Sequence, residues 1–247
     1  MTITAQAEEK GHRGVPFRTK GENPLAQIVQ VYGPLLLKAM GQTLLLALLG
    51  LFFACILGLI FGILSVIKSK VCHAISLIFV NAIRGVPMIV LAYFIYFGFP
   101  YLMNNILKIG GVKLTALQAG TICLALNCGA YMAEIIRAGI QSVDVGQMEA
   151  ARSLGLPYWT SMKRIVLPQA IRTMIPSIIN QFIITLKDTS ILSVIGFPEL
   201  VNTAKNVVAN TFRSFETWAI VAVMYLIIIL TLSYVAKRLE RRLNHDR

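Results

Sequence analysis

Long apolar runs, interrupted at wide intervals by single charges, dominate this chain. Between Lys38 and Lys68 lie 29 uncharged residues. That is enough for one long or tilted crossing, since a hydrocarbon core of about 30 Å takes about 20 helical residues. A second run starts near Val71, meets Arg84 and continues uncharged from Gly85 to Leu107. The third, Leu114 to Ala133, and the fifth, Thr217 to Ala236, are 20 residues each. The fourth is short: Arg172 and Lys187 bracket 14 uncharged residues, so a spanning helix there must draw in Lys187 and Asp188. The pattern predicts an all-α, polytopic membrane protein of about five transmembrane helices over residues 31–243. A polar tail precedes it at 1–30, and a short tail follows at 244–247. Ala54, Gly58 and Gly62 recur every four residues, a small-residue stripe on which another helix can close in.

Composition sharpens this. Hydrophobic residues make up 56% of the 247-residue chain and charged residues 14%, against roughly 25% charged in a soluble domain. The mean hydropathy is +0.71. A soluble enzyme, a coiled coil and a disordered chain are excluded. The net charge of +12 marks loops rather than nucleic-acid binding, because Lys and Arg are retained on the cytoplasmic side of a membrane. The loops after spans one, three and five hold 12 basic residues and the opposite loops 4. This places the segment 137–172 and the C-terminus in the cytoplasm and the N-terminus outside. The four basic residues of the N-terminal tail, Lys10, Arg13, Arg18 and Lys20, run against that assignment. The four cysteines are scattered apolar fillers. The three histidines lack partners at metal-ligand spacing, so no metal site and no catalytic constellation is expected.

The segment 141–168 is the longest cytoplasmic stretch. Asp144 followed by Gln147 has the spacing of a capping box. A short helix through Glu149, Ala150, Ala151 and Arg152 would end at Gly155 in a left-handed conformation, with Pro157 beyond it. Tyr158, Met162 and Ile165 would share a face of a second helix ending at Pro168. The outcome is a compact helix–turn–helix whose two successive alanines admit a close partner, or else an ordinary interfacial loop. No G-x-x-x-x-G-K-[ST] occurs in the chain, so it has no phosphate-cradling loop of its own.

Glu149-Ala150-Ala151, three residues, Gly155, nine residues, then Ile165-Val166-Leu167-Pro168 resembles the E-A-A-x3-G-x9-I-x-L-P signature of ABC importer permeases. Arg84-Gly85-Val86-Pro87, the stretch from Gly129 to Arg137, and Lys187-Asp188-Thr189-Ser190 are similar to the polar amino-acid subfamily. The end of the chain resembles its glutamine permeases. The resemblance spans roughly residues 30–243 and implies a type I importer of the bacterial inner membrane that works by alternating access. In that scheme a second permease chain pairs with this one. Two ATP-binding cassette subunits, which carry the ATP and Mg²⁺, dock on a coupling helix formed by Glu149, Ala150, Ala151 and Gly155. An extracytoplasmic binding protein delivers the amino acid, with glutamine the first expectation. The runner-up is an ion-gradient-driven secondary transporter or channel. Such proteins commonly carry internal repeats, and none is visible here.

Charges inside a span cost about 2.5–3.5 kcal/mol each on insertion scales, so Lys187 and Asp188 must face protein or water. Lys187 would meet an α-carboxylate, and Asp188 an α-ammonium or Lys187 itself; a stabilising ion pair is the structural alternative. Thr189 and Ser190 offer hydroxyls, although such residues commonly bond back to their own helix. Glu134 and Arg137 share a face and suit an ion pair at the cytoplasmic edge. Arg84 with Pro87 marks a helix irregularity that shapes either a gate or a packing kink.

Overall fold

The computed structural model describes residues 24–244. The polar lead-in through residue 23 and residues 245–247 lie outside the described residues. Among the described residues every regular element is helical. The order is α1 (Pro24–Val66), α2 (Lys70–Arg84), α3 (Met88–Ile106), α4 (Ala116–Gln141), α5 (Val145–Ser153), α6 (Tyr158–Ile195), α7 (Leu200–Thr211) and α8 (Ser214–Asn244). Five are long and apolar enough to cross a membrane: α1, α3, α4, α6 and α8. This all-helical, five-span bundle is the architecture the apolar runs predict. Many outward Leu, Ile and Phe side chains remain exposed, as they must where lipid replaces water as the solvent.

The first span differs from the expectation in length. At 43 residues, α1 runs for about 65 Å, passing Lys38 without a break and starting inside the stretch read as tail. A single exposed lysine does not end a helix, because its long side chain leaves along the surface. The extra N-terminal length has a partner. Ile28, Leu36, Ala39 and Met40 of α1 pack against Leu200, Ala204 and Val207 of α7 and Val221 of α8.

The second run divides. Gly85 caps α2, its N–H donating to the Asn81 carbonyl at 2.9 Å, and Pro87 opens α3 with φ −56° and ψ 136°. Proline cannot donate and holds the residue before it extended, so one crossing of 71–107 becomes two helices joined at Arg84–Pro87. The earlier piece folds back on α1. Phe61 and Phe79 stack at 3.7 Å, and the Ser76 hydroxyl donates to the Phe61 carbonyl at 2.7 Å.

Four other prolines, Pro34, Pro100, Pro168 and Pro176, do not stop their helices, and a wide turn precedes two of them. Phe99 N–H donates to the Phe94 carbonyl, and Leu167 N–H to the Met162 carbonyl, five residues back in each case. Both wide turns stand immediately before a proline, Pro100 or Pro168. A π-turn widens the ladder where the ring would strike the carbonyl four residues back. For this reason the second helix of the loop does not end at Pro168; it continues as α6 through Ile195, with its last seven residues, Thr189–Ile195, wound as a 3₁₀ helix. The short fourth run is thereby lengthened from both ends.

The centre of the bundle is the contact between α1 and α4. A Cβ on Gly50 would sit 2.6 Å from Leu124 Cβ, and one on Gly62 2.8 Å from Ile136 Cβ. One on Gly58 would strike Met132. Gly129 answers from α4, where a Cβ would lie 2.9 Å from Leu57 Cβ. The stripe of Ala54, Gly58 and Gly62 therefore faces α4, and Gly50 extends it by one turn.

α7 is pinned by Glu199, which is 0% exposed. Its carboxylate accepts from the amides of Val201 (2.7 Å) and Asn202 (2.5 Å) and from the Tyr225 hydroxyl at 3.4 Å. The Leu200 amide donates to Thr43 Oγ1 of α1 at 3.0 Å. Burial pushes the Glu199 carboxyl up to about 6, against the pull of its two amide donors, Tyr225 and the Lys205 charge.

Two predictions follow from the packing and the buried acid. Gly58→Ala lowers the thermal midpoint of the purified protein in detergent by an overpacking cost of about 1–3 kcal/mol. Gly41→Ala, where a Cβ meets nothing within 4 Å, leaves the midpoint unchanged or slightly raised. For Glu199, the raised folded pKa means stability that is complete below about 4.5, its ordinary value. That stability is lost as pH rises through about 6, worth about 2 kcal/mol. The thermal midpoint therefore falls between pH 5 and 7, and Glu199→Gln removes that part of the slope.

Candidate functional site

Two constructions stand out, one at the loop end of the bundle and one within it. At the loop end, Asp144 caps α5, its Oδ1 accepting from the Gly146 amide at 2.6 Å. The bond falls two residues on, not three, so the reciprocal capping box with Gln147 is replaced by a simple aspartate cap. Gly155 takes φ +82°. Its amide donates to the Arg152 carbonyl at 3.0 Å, and the Leu156 amide to the Ala151 carbonyl at 3.2 Å. This pair of bonds is the Schellman closure expected from a left-handed glycine. The turn aims Pro157 into the start of α6. Lys68, in the α1–α2 turn, lies 5.8 Å from the centre of the Tyr158 ring, placing the loop beside that turn.

The two alanines part company. Ala151 is 2% exposed, turned into the loop's own small core, while Glu149 and Ala150 face outward. Val145, Leu154 and Trp159 are 70%, 82% and 75% exposed. The outward surface of the loop thus includes Glu149, Ala150, Gln147 and Arg152 together with three bare apolar side chains, Val145 on α5, Leu154 at its end and Trp159 at the start of α6. Bare apolar groups of this size away from a lipid-facing span mark a contact surface.

Within the bundle, a cleft of about 550 Å³ opens where the α2–α3 break meets α4 and α6. Arg84 and the backbone from Gly85 to Met88 form one wall, Asn127 and Tyr131 of α4 another, and Gln181, Ile184, Asp188 and Ile191 of α6 the third. The guanidinium of Arg84 lies 4.8 Å from the centre of the Tyr131 ring, a cation held over an aromatic face, and its Nη1 is 3.9 Å from Glu134 Oε2. Glu134 is also gripped by Arg137, through Nε to the same Oε2 at 3.2 Å and through a second, shorter bond from Nη2 to Oε1. Arg137 also donates to Gln141 at 2.9 Å. One cation, one anion, two carboxamides and a phenol converge on a space with apolar patches. That chemistry fits a small, doubly charged, polar solute.

Of the residues singled out in the sequence, Arg84, Pro87 and Asp188 come together here. Lys187 does not. It is exposed and absent from the cleft, because neighbours on a helix point about 100° apart and Asp188 has taken the inward direction. Thr189 is fully buried and donates to its own Leu186 carbonyl at 2.7 Å, and Ser190 likewise to Lys187 at 2.7 Å. Asn127, Tyr131 and Gln181 were not identified from sequence. The available signal was a carboxamide inside an otherwise apolar span. No cluster with the makings of a metal site occurs among the described residues.

Comparison with known proteins defines the class. Residues 54–245 match the family described as the binding-protein-dependent transport system inner membrane component, and the chain belongs to that family. It is 38% identical over 210 residues to the Escherichia coli K12 glutamine transport system permease protein GlnP, covering 85% of this chain and 93% of that one. It is 37% identical over 211 residues to the probable amino-acid permease protein YxeN of Bacillus subtilis, covering 85% and 92%. A solved amino acid ABC transporter, crystallised with histidines, superposes with a TM-score of 0.81 at 37% identity, covering 90% of this chain and 99% of that one. The inward-facing MetNI methionine transporter shares the fold, with a TM-score of 0.71 at 17% identity. The chain is the membrane-embedded permease subunit of an ABC importer, a multi-pass inner-membrane protein. It works with an ATPase and a binding protein as separate subunits, and the secondary-transporter alternative is overturned by that membership.

Gly155 should be the weak point of the loop. Gly155→Ala forces a Cβ into the left-handed region at about 1–2 kcal/mol. Hydrogen exchange at the Gly155-site and Leu156 amides then speeds up about five- to thirtyfold while α4 amides are unchanged.

Proposed function

We propose that this chain forms the pathway for polar L-amino acids, with glutamine the first candidate, and that the cleft is where the solute rests during passage. The observation that carries the reading is that Arg84 and Asp188, from different helices, both line the cleft. A zwitterionic amino acid presents a carboxylate, which a guanidinium recognises through its planar fork, and an ammonium, which a carboxylate accepts. Asn127 and Gln181 remain for a polar side chain such as a carboxamide. The names of the relatives, a glutamine permease and an amino-acid permease, point the same way. Arg84 takes the carboxylate role that the sequence pattern had suggested for Lys187.

In this reading the loop end and the C-terminus face the cytoplasm, the N-terminus faces outward, and two permease chains pair around the pathway. A pair of ATPase subunits, holding ATP and Mg²⁺, docks on the outward surface of α5 at Glu149 and Ala150. Gly155 keeps that helix at its angle, and Ala151 seats it against α6. The extracytoplasmic binding protein hands over the amino acid, and closure of the ATPase pair drives the bundle between outward- and inward-open states. A ligand moves such an equilibrium only by binding the two states differently, so the cleft must change shape between them.

Uptake of a labelled panel (glutamine, glutamate, histidine, arginine) by the reconstituted complex tests this. Arg84→Met and Asp188→Asn each cut uptake at least tenfold with assembly intact, whereas Lys187→Met retains most of it. Full uptake by the Arg84 and Asp188 variants overturns the assignment of the cleft.

A further inference from the structure

Arg84 has two claimants. It borders the cleft, yet its guanidinium already stands 3.9 Å from Glu134 Oε2, on a carboxylate that does not line the cleft. The grip on that carboxylate is unequal. Arg137 holds Glu134 through two nitrogens and is itself fastened to Gln141, so Glu134 is the fixed member. Arg84 makes one long contact and otherwise lies over the Tyr131 ring, so it is the movable one. Both ends of the Arg84–Glu134 pair are about a third exposed, where an ion pair is worth little and exchanges readily.

We propose that Glu134 is a built-in competitor for Arg84, holding the guanidinium when the cleft is empty and contesting it with the substrate carboxylate, so that it sets how weakly the permease binds its solute. This rests on the reading of Arg84 as the carboxylate partner. Arg84 swaps one carboxylate for another on binding, so the net gain is small and the solute leaves again. Arg137 is the positioning residue in this arrangement. By sharing the Glu134 charge it keeps the competitor from capturing Arg84 outright. No proton moves and no covalent bond forms.

The two neighbours therefore have opposite signs, which a merely structural pair would not show. The measurement is equilibrium binding to the intact permease–ATPase complex, without binding protein. The probes are the best-transported amino acid of the panel and its α-carboxamide, which lacks the anion. Glu134→Gln removes the competitor and tightens amino-acid binding about fivefold, as expected for loss of a partly exposed ion pair. Arg137→Met leaves Glu134 with Arg84 as its one cation and weakens binding by a similar factor. Neither change moves the affinity of the carboxamide. Unchanged or weakened amino-acid binding in Glu134→Gln, in protein that still binds the carboxamide normally, overturns the proposal. If Glu134→Gln does not assemble, Glu134→Asp, with a carboxylate drawn back by one methylene, carries the test, and failure to tighten binding overturns it equally. Arg84→Met separates the two levels. If it leaves amino-acid binding intact, the carboxylate assignment itself falls; if it weakens binding while Glu134→Gln has no effect, the competitor idea alone falls.

Discussion

The close approach of α1 and α4 is the constraint on which the other positions depend. Lipid tails are as apolar as leucine, so two membrane helices gain nothing from hiding hydrocarbon and must gain by packing. Gly50, Ala54, Gly58 and Gly62 remove side chains along one edge of α1, and Leu124, Met132 and Ile136 of α4 fill the space. That contact fixes the rotation of α4 about its axis. With Met132 and Ile136 turned to α1, Asn127 and Tyr131 are turned to the cleft, and Glu134 lies within reach of Arg84. A methyl group on Gly58 therefore perturbs more than a local contact, because it displaces the helix on which two cleft residues and the Arg84 counter-charge are mounted.

Proline placement does the complementary work of opening space. Where a proline is preceded by a π-turn, as at Pro100 and Pro168, the helix absorbs it and continues. At Pro87 the chain breaks after Arg84 instead. An irregular backbone inside a membrane is tolerated only where it is covered by protein or lines a cavity. The break here does line one, with Gly85, Val86, Pro87 and Met88 in its wall. The same interruption that frees the backbone also projects a guanidinium at the end of α2, where a continuous helix would have buried or exposed it according to its periodicity alone.

How far the sequence revealed this depends on which residues are considered. The spans were legible because a charge every 20 to 30 residues is a strong signal at the scale of a bilayer. The loop was legible because glycine tolerates the left-handed conformation at which a helix closes and proline fixes its own φ, and Gly155 and Pro157 both adopt the expected conformations. The lengths of α1 and α6 were not legible. An exposed lysine at 38 does not end a helix, and neither do Pro34, Pro168 and Pro176. The cleft was read in part. Arg84 and Asp188 drew attention because intramembrane charge is costly, but choosing Asp188 over Lys187 requires the rotation of α6. Asn127 and Gln181 carry no charge and gave no comparable signal. Glu199 lies in a short connection between two helices, and its burial arises from contacts with α1 and α8 that are distant in sequence.

The two constructions are joined by one helix. α6 begins at the loop, next to the Schellman turn, and ends in the 3₁₀ segment beyond Asp188, 38 residues in all and about 57 Å. Midway along it, Met174 lies against Gly139 so closely that a Cβ on the glycine would overlap the side chain, and Ile178 and Phe182 complete the contact with α4 beside Cys128. Toward the loop from that point α6 is held by its own short partners, α5 and the turn before it. Beyond it lie Gln181 and Asp188, which form the third wall of the cleft. Packed interiors transmit displacement because they lack free volume to absorb it. In the proposed alternating-access cycle, movement of the loop end against α4 would pass through the Met174 contact to the wall bearing Asp188, with Arg84 on α2 and Tyr131 on the α1–α4 pair. On the proposed reading, the separation between the cation and anion of the cleft is the distance such a movement would change, and it is also the distance a zwitterionic solute would span.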